Sequence, residues 1–157
     1  MIAMGELPEV WNLFGEDHLP YRMLILARMV DRETQRQLQD NFRLSLAEWR
    51  LLAMSHALGP CSAARIGTAG QIDRAEISRA LGKLESAGLV ERAPDPEHGK
   101  RQILSITEEG QALHARVAEQ RRSFFRDITS DLTDDVRADM EKAMVQMAEK
   151  LVARSAG

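Results

Sequence analysis

The chain has 157 residues, 44% hydrophobic and 29% charged, with 4% aromatic residues and a net charge of −3. That length suits one compact domain, or a small domain carried on extra dimerising helices, and the balance excludes an intrinsically disordered chain. The acidic total disfavours a surface that binds nucleic acid everywhere, but leaves room for a local basic patch.

Cys61 is the single cysteine, so no internal disulfide can form and a reducing compartment is expected. The N-terminus, "MIAMGELPEVWNLF", lacks a basic segment followed by an apolar run and does not read as a signal peptide. Arg28 interrupts the longest apolar cluster, "MLILARMV", which is too short to span a bilayer. The expectation is a cytoplasmic protein without a membrane partner.

In chain order, Leu19, Met23, Leu26, Val30 and Leu38 recur at three- and four-residue spacing, which predicts an amphipathic helix over 19–40. "LSLAEWRLLAMSHALGP" opens on Ser45 and Glu48, a capping box, and closes at Gly59-Pro60. A third, short helix is expected to start at Ser62 and to end at Gly70. The fourth lies in "QIDRAEISRALGKLESAGLVER", with Asp73 as N-cap, Glu76 at the third helical position and Gly88 as the closing residue. Three helices of about 13, 8 and 14 residues with tight connections follow the helix-turn-helix plan.

The period then changes. "LVERAP" and "RQILSI" read as two short strands joined by the turn-forming "DPEHGK", a hairpin placed as a wing. Thr107 caps a further helix, with Glu108 and Glu109 in its first turn. Leu113, Val117, Phe124 and Ile128 form one apolar stripe, interrupted near Thr133. Val136, Met140, Met144 or Ala143, Met147 and Leu151 form the next. The fold class expected is mostly α with a small β-hairpin. Residues 45–106 make a winged helix-turn-helix, and 1–44 and 107–157 supply N- and C-terminal dimerisation helices, since striped helices outside a small module commonly pair across a two-fold axis.

On the fourth helix, Ile77, Leu81, Leu84 and Gly88 fall on one side with Ala80 at the edge, the expected core face. The opposite side carries Ala75, Arg79, Gly82, Lys83 and Ser86, flanked by Glu76 and Ser78. Small side chains plus one or two long donors suit a helix entering a major groove about 12 Å wide. Arg79 is the candidate for bidentate readout of guanine, and Lys83, Ser78 and Ser62 suit phosphate contacts. Glu76 either accepts from a cytosine amino group or completes a capping box. Gly82, which costs a helix about 1 kcal/mol relative to alanine, is either tolerated or packed closely against a neighbour, or else leaves room for a sugar-phosphate backbone. His98, Gly99, Lys100 and Arg101 at the wing tip are placed to reach a minor groove, or form an ordinary solvated turn. Between residues 61 and 104, seven Lys/Arg stand against six Asp/Glu, so any positive patch is set by geometry and not by bulk charge.

These residues carry a family likeness. "IDRAEISRALGKLESAGLVERAPDPEHGKRQILSITEEG" resembles the recognition helix and wing of the multiple-antibiotic-resistance-regulator (MarR) family of winged-helix transcription factors, and "LSLAEWRLL" is similar as well. The resemblance implies a homodimer that sets paired recognition helices on a pseudo-palindromic double-stranded operator, mostly as a repressor released by a small-molecule effector or an oxidant. By motif position Ala75, Glu76 and Arg79 match base-contacting positions, and Lys100 matches the wing arginine. His98 stands where the family usually carries an Asp that holds that arginine, so the tip is expected to be looser or its DNA contact pH-sensitive. With Arg74 in the first turn, the candidate DNA-contacting set is Ser62, Arg74, Ala75, Glu76, Ser78, Arg79, Lys83, His98, Lys100 and Arg101. An effector site is expected between the dimerising helices and the second helix, near Tyr21, Arg22 and Trp49.

Other features read more plainly. Cys61 is expected to fill the hinge after Gly59-Pro60, the alternative being an oxidant sensor at a helix N-terminus. The four histidines form no ligand pattern, so no metal and no cofactor are expected. Arg116, Arg121, Arg122 and Arg126 read as a solvated or salt-bridged helix face. No nucleophile triad or nucleotide-binding loop is present, so an enzyme is not expected. A regulator that binds DNA as a dimer leads. The alternatives are a winged-helix protein-interaction module without DNA binding, and a ligand-sensing dimer that has lost its operator.

Overall fold

The computed structural model describes residues 7–11, 13, 15 and 18–155; much of the N-terminal stretch judged above for a signal peptide lies outside them. A short 3₁₀ turn, Glu9–Trp11, precedes α1 (Leu19–Phe42), α2 (Leu46–Leu58), α3 (Ala63–Gly70) and α4 (Arg74–Ser86). The hairpin β1 (Val90–Pro94) and β2 (Gln102–Ile106) follows, then α5 (Glu108–Ile128) and α6 (Asp134–Ser155). The expected class and order of elements are all present. Two compact bodies result, the first ending at Ala118 and the second beginning at Glu119, partway along α5.

The first body is built around one apolar core. Leu38 of α1, Leu51 and Leu52 of α2, and Ile66 of α3 meet Ile77, Ala80, Leu81 and Leu84 of α4, with Val90, Leu104 and Val117 closing it. Ala80, expected at the edge of the α4 core face, is fully part of it. Gly88 is not. It lies beyond the helix, exposed, at a φ of +71°. Its amide donates to the Glu85 carbonyl at 2.9 Å, and the Leu89 amide to Leu84 at 2.9 Å, which ends α4 and turns the chain into β1.

The helix starts follow from their caps. Ser45 and Glu48 form the full capping box, each side chain accepting the other residue's amide, at 3.2 and 2.9 Å. Ser62 caps α3 by accepting from the Arg65 amide, and Asp73 caps α4 by accepting from Ala75 and Glu76 at 2.8 and 2.9 Å. The end of α3 differs from expectation. Gly70 stays in the last turn and Gln71 takes the left-handed conformation. A Cβ on Gly70 would press on Ile72 and Met54, so its small size serves packing there, not a left-handed turn.

The hairpin is antiparallel, pairing Val90 with Ile106 and Pro94 with Gln102. Cys61 adds a rung that the sequence did not announce, exchanging two backbone hydrogen bonds with Leu104 at 3.1 and 2.8 Å. Thr107 joins the wing to α5. Its hydroxyl donates to the Gly88 carbonyl at 2.7 Å and accepts from the Gly110 amide at 3.0 Å. In α1 the residues that are buried are Ile25, Thr34 and Leu38, while the N-terminal stripe stays open at Leu19 and Leu26.

Candidate nucleic-acid interface

The outward side of α4 is polar and low in profile, because its apolar residues are all spent on the core. Arg74, Ala75, Ser78, Arg79, Gly82 and Lys83 are exposed, and Glu76 is half-buried. Asp73 carries the capping on its own carboxylate, and among the described residues Glu76 forms no return bond to the Asp73 amide. At Gly82 a Cβ would meet nothing within 4 Å. Close packing against a neighbour is thereby ruled out as its reason. Ser86 is turned back onto its own helix, donating to the Gly82 carbonyl at 2.8 Å.

Arg79 borders a cleft of about 400 Å³ shared with Ser45, Ala47, Glu48, Glu76, Ala80 and Lys83. Arg74 borders a different one, between α3 and α4. Lys83 is committed in a way the sequence did not suggest: its ammonium lies 3.1 Å from the carboxylate of Glu48, a buried residue. Ser62 sits at the N-terminus of α3 with its oxygen occupied by the cap.

The wing tip is exposed at His98, Lys100 and Arg101. Its turn is closed by the Arg101 amide on the His98 carbonyl at 2.7 Å and the Asp95 amide on the Arg101 carbonyl at 2.9 Å. The Asp95 carboxylate adds a third bond, accepting from the Glu97 amide at 2.9 Å. Neither the His98 ring nor the Lys100 ammonium takes part in these bonds. Below the tip, Arg92 of β1 grips Glu85 of α4 bidentately, at 2.6 and 2.7 Å. That planar fork holds the wing's base against α4.

Two of the candidate effector residues, Arg22 and Trp49, make well-defined contacts. Arg22 holds the N-terminal segment, donating to the Trp11 and Gly15 carbonyls at 3.0 Å each. Trp49 stacks on His114 with ring centroids 5.4 Å apart, and His114 in turn stacks on His56 at 3.9 Å. Histidines 58 residues apart gave no spacing signal, so this α2–α5 stack was invisible in the sequence. No group of three metal-ligating side chains occurs among the described residues.

Burial pushes the Cys61 thiol up, against the opposing charge of Arg65, which makes a reactive thiolate harder to form. Its backbone rung to Leu104 makes it more than a hinge filler. On α5, Arg122 and Arg126 pair with Glu119 at 2.7 and 3.3 Å, and hold that carboxyl below its usual range. Of the solvated and salt-bridged alternatives expected for this face, burial removes the first for Arg121. It is 5% exposed, with its guanidinium 4.7 and 4.8 Å from the Phe124 and Phe125 rings. Among the described residues no helix is long and apolar enough to cross a membrane.

Comparison with known proteins agrees with this geometry. Residues 44–101 match the MarR family. The HTH-type transcriptional repressor IacR of Pseudomonas putida is 29% identical over 123 residues, covering 77% of this chain and 72% of that protein. A crystal structure of MarR superposes with a TM-score of 0.72 at 25% identity, over 88% of this chain and 93% of that one. A MarR/EmrR family transcriptional regulator from Acinetobacter sp. ADP1 shares the fold with a TM-score of 0.77 at 18% identity, over 87% and 96% of the two chains. The helix-turn-helix and the first strand of the wing thus match the MarR family, and transcriptional regulators of that family share the fold over most of the chain.

Proposed function

We propose that the protein is a transcriptional repressor that binds a pseudo-palindromic DNA operator as a homodimer. Helix 73–87 would lie in the major groove and the wing, 94–101, in the adjacent minor groove. The observation that carries this reading is the outward face of α4, where Ser78, Arg79 and Gly82 stand clear of large apolar groups beside an exposed tip bearing Lys100 and Arg101. Arg79 reads a base, with Ala75 and Glu76 beside it. Arg74, Ser78 and Ser62 face phosphates, and His98, Lys100 and Arg101 serve the minor groove. Repression is supported by the P. putida relative, which is named a repressor.

Dimerisation is supported by apolar side chains left open on α6, among them Val136, Met140, Met144 and Leu151. For a small-molecule effector, the ring stack of Trp49 and His114 offers an aromatic wall beside which a flat ligand could lie; Tyr21 and Arg22 complete the proposed set.

Selection of bound sequences from random duplex DNA tests the reading, and should return an inverted repeat. Arg79→Ala should cost on the order of 1–3 kcal/mol on that operator and relax specificity at one position per half-site. Unchanged affinity and specificity would remove Arg79 from base readout. The near-neutral charge of residues 61–104 favours a second reading, a protein-interaction module. Failure to enrich any duplex at low salt would support that reading instead.

A further inference from the structure

We propose that Lys83 is the internal counter-ion of Glu48 and not a phosphate contact, and that Glu48 thereby limits the positive charge α4 presents to DNA. This rests on the DNA-binding reading above. Both carboxylate oxygens of Glu48 are engaged. Oε2 accepts the Ser45 amide at 2.9 Å, at the start of α2, and Oε1 takes the Lys83 ammonium at 3.1 Å, from the recognition helix. One buried side chain thus ties the first helix of the motif to the third.

The two partners are unequal. The Lys83 side chain is 72% exposed, whereas that of Glu48 is 7% exposed. Packing therefore does little to hold the ammonium, and the attraction of a carboxylate with little access to water does most of it. Drawing Lys83 away to a phosphate would leave Glu48 charged, desolvated and half-partnered, the state that makes broken buried pairs costly. A solvated lysine gains much less from one phosphate at the surface.

The cleft between α2 and α4 adds to this balance, since its charged lining is Glu48, Glu76, Arg79 and Lys83, two of each sign. With Lys83 neutralised by Glu48, the long cations that α4 has left are Arg79, beside that cleft, and the exposed Arg74 in its first turn. A helix that carries little free charge binds random DNA weakly and leaves discrimination to Arg79.

The test is the salt dependence of duplex binding for the full chain and three variants, Glu48→Gln, Lys83→Gln and both together. Each is measured on the duplex recovered by selection and on a mixed-sequence duplex. Glutamine at 48 keeps the acceptor that a capping box needs, and glutamine at 83 keeps a donor for Glu48, so each substitution chiefly removes charge. Thermal melts establish that every variant is folded at the assay temperature.

Lys83→Gln is expected to leave the parent's log–log salt slope unchanged. Glu48→Gln is expected to tighten binding to both duplexes and to steepen the slope by about 0.9 for each bound protomer, the value of one phosphate contact. The double variant should return to the parent slope. A merely structural role for Glu48 would weaken binding without steepening the slope, and would overturn the proposal. A loss of about 0.9 from the slope on Lys83→Gln alone would overturn it too, by making Lys83 an ordinary phosphate contact. A parent that binds no duplex in a salt-dependent way sinks the DNA-binding reading and this one with it. A parent that binds normally while Glu48→Gln changes nothing sinks this one alone.

Discussion

Gly82 and Gly110 look alike in the sequence, each a glycine inside a helical pattern, and the structure gives them opposite meanings. Open space surrounds the missing Cβ of Gly82. Gly82→Ala should therefore stabilise the fold by roughly 0.5–1 kcal/mol in urea unfolding, because alanine has less backbone freedom to lose. If α4 enters a groove at this point, the same methyl weakens operator binding; unchanged affinity would leave Gly82 without a part in the approach to DNA. Gly110 sits in the first turn of α5, where a Cβ would run into the Leu89 carbonyl and lie 2.8 Å from the Ile106 side chain. Backbone cannot yield as a side chain can, so Gly110→Ala should destabilise by about 1–3 kcal/mol. The spacing of apolar residues put Gly82 in a helix, and the Thr107 cap put Gly110 in the first turn of another. What approaches each of them from elsewhere in the chain is not written in local sequence.

The elements whose starts were legible are those that carry their own caps: Ser45 with Glu48, Ser62, Asp73 and Thr107 each satisfy amides within three residues. Contacts that cross the fold left no such trace. Glu85 with Arg92, Cys61 with Leu104, and Trp49 with His114 depend on how helices and strands are set against one another. The same limit applied on α4, where the exposure of Arg79 followed from helical periodicity but the capture of Lys83 by Glu48 did not. The α4 cap also has a pH signature. The amides of Glu76 and then Ala75 hold the Asp73 carboxyl below its usual value, with the Arg79 charge acting in the same direction. A depressed carboxyl stabilises the fold above its unfolded pKa, and that contribution fades as pH falls through the folded value. Asparagine caps comparably but does not titrate. In thermal melts, the parent's advantage over Asp73→Asn should shrink as pH falls below about 4; an advantage independent of pH would show that the cap owes nothing to charge.

At the scale of the whole molecule, the open apolar positions are those the proposed dimer would cover. No residue of α6 is buried, and Leu19, Leu24 and Met29 of α1 and Phe125 and Ile128 of α5 are exposed as well. The Met140→Lys/Met144→Lys double variant should lower the dimer fraction in sedimentation equilibrium, since each methionine withdrawn from an interface forfeits roughly 1.5–3 kcal/mol. A dimer that survives it intact would place the interface elsewhere. The rung between Cys61 and Leu104 also reaches beyond its two hydrogen bonds. A hairpin on its own frays from the tip and exchanges its amides freely, but here the outer strand is stitched to the residue just ahead of α3. For that strand to breathe, the start of α3 has to come away too, so the wing opens only as part of a larger cooperative unit. The finger that would be offered to DNA is in this way stiffened before any groove receives it.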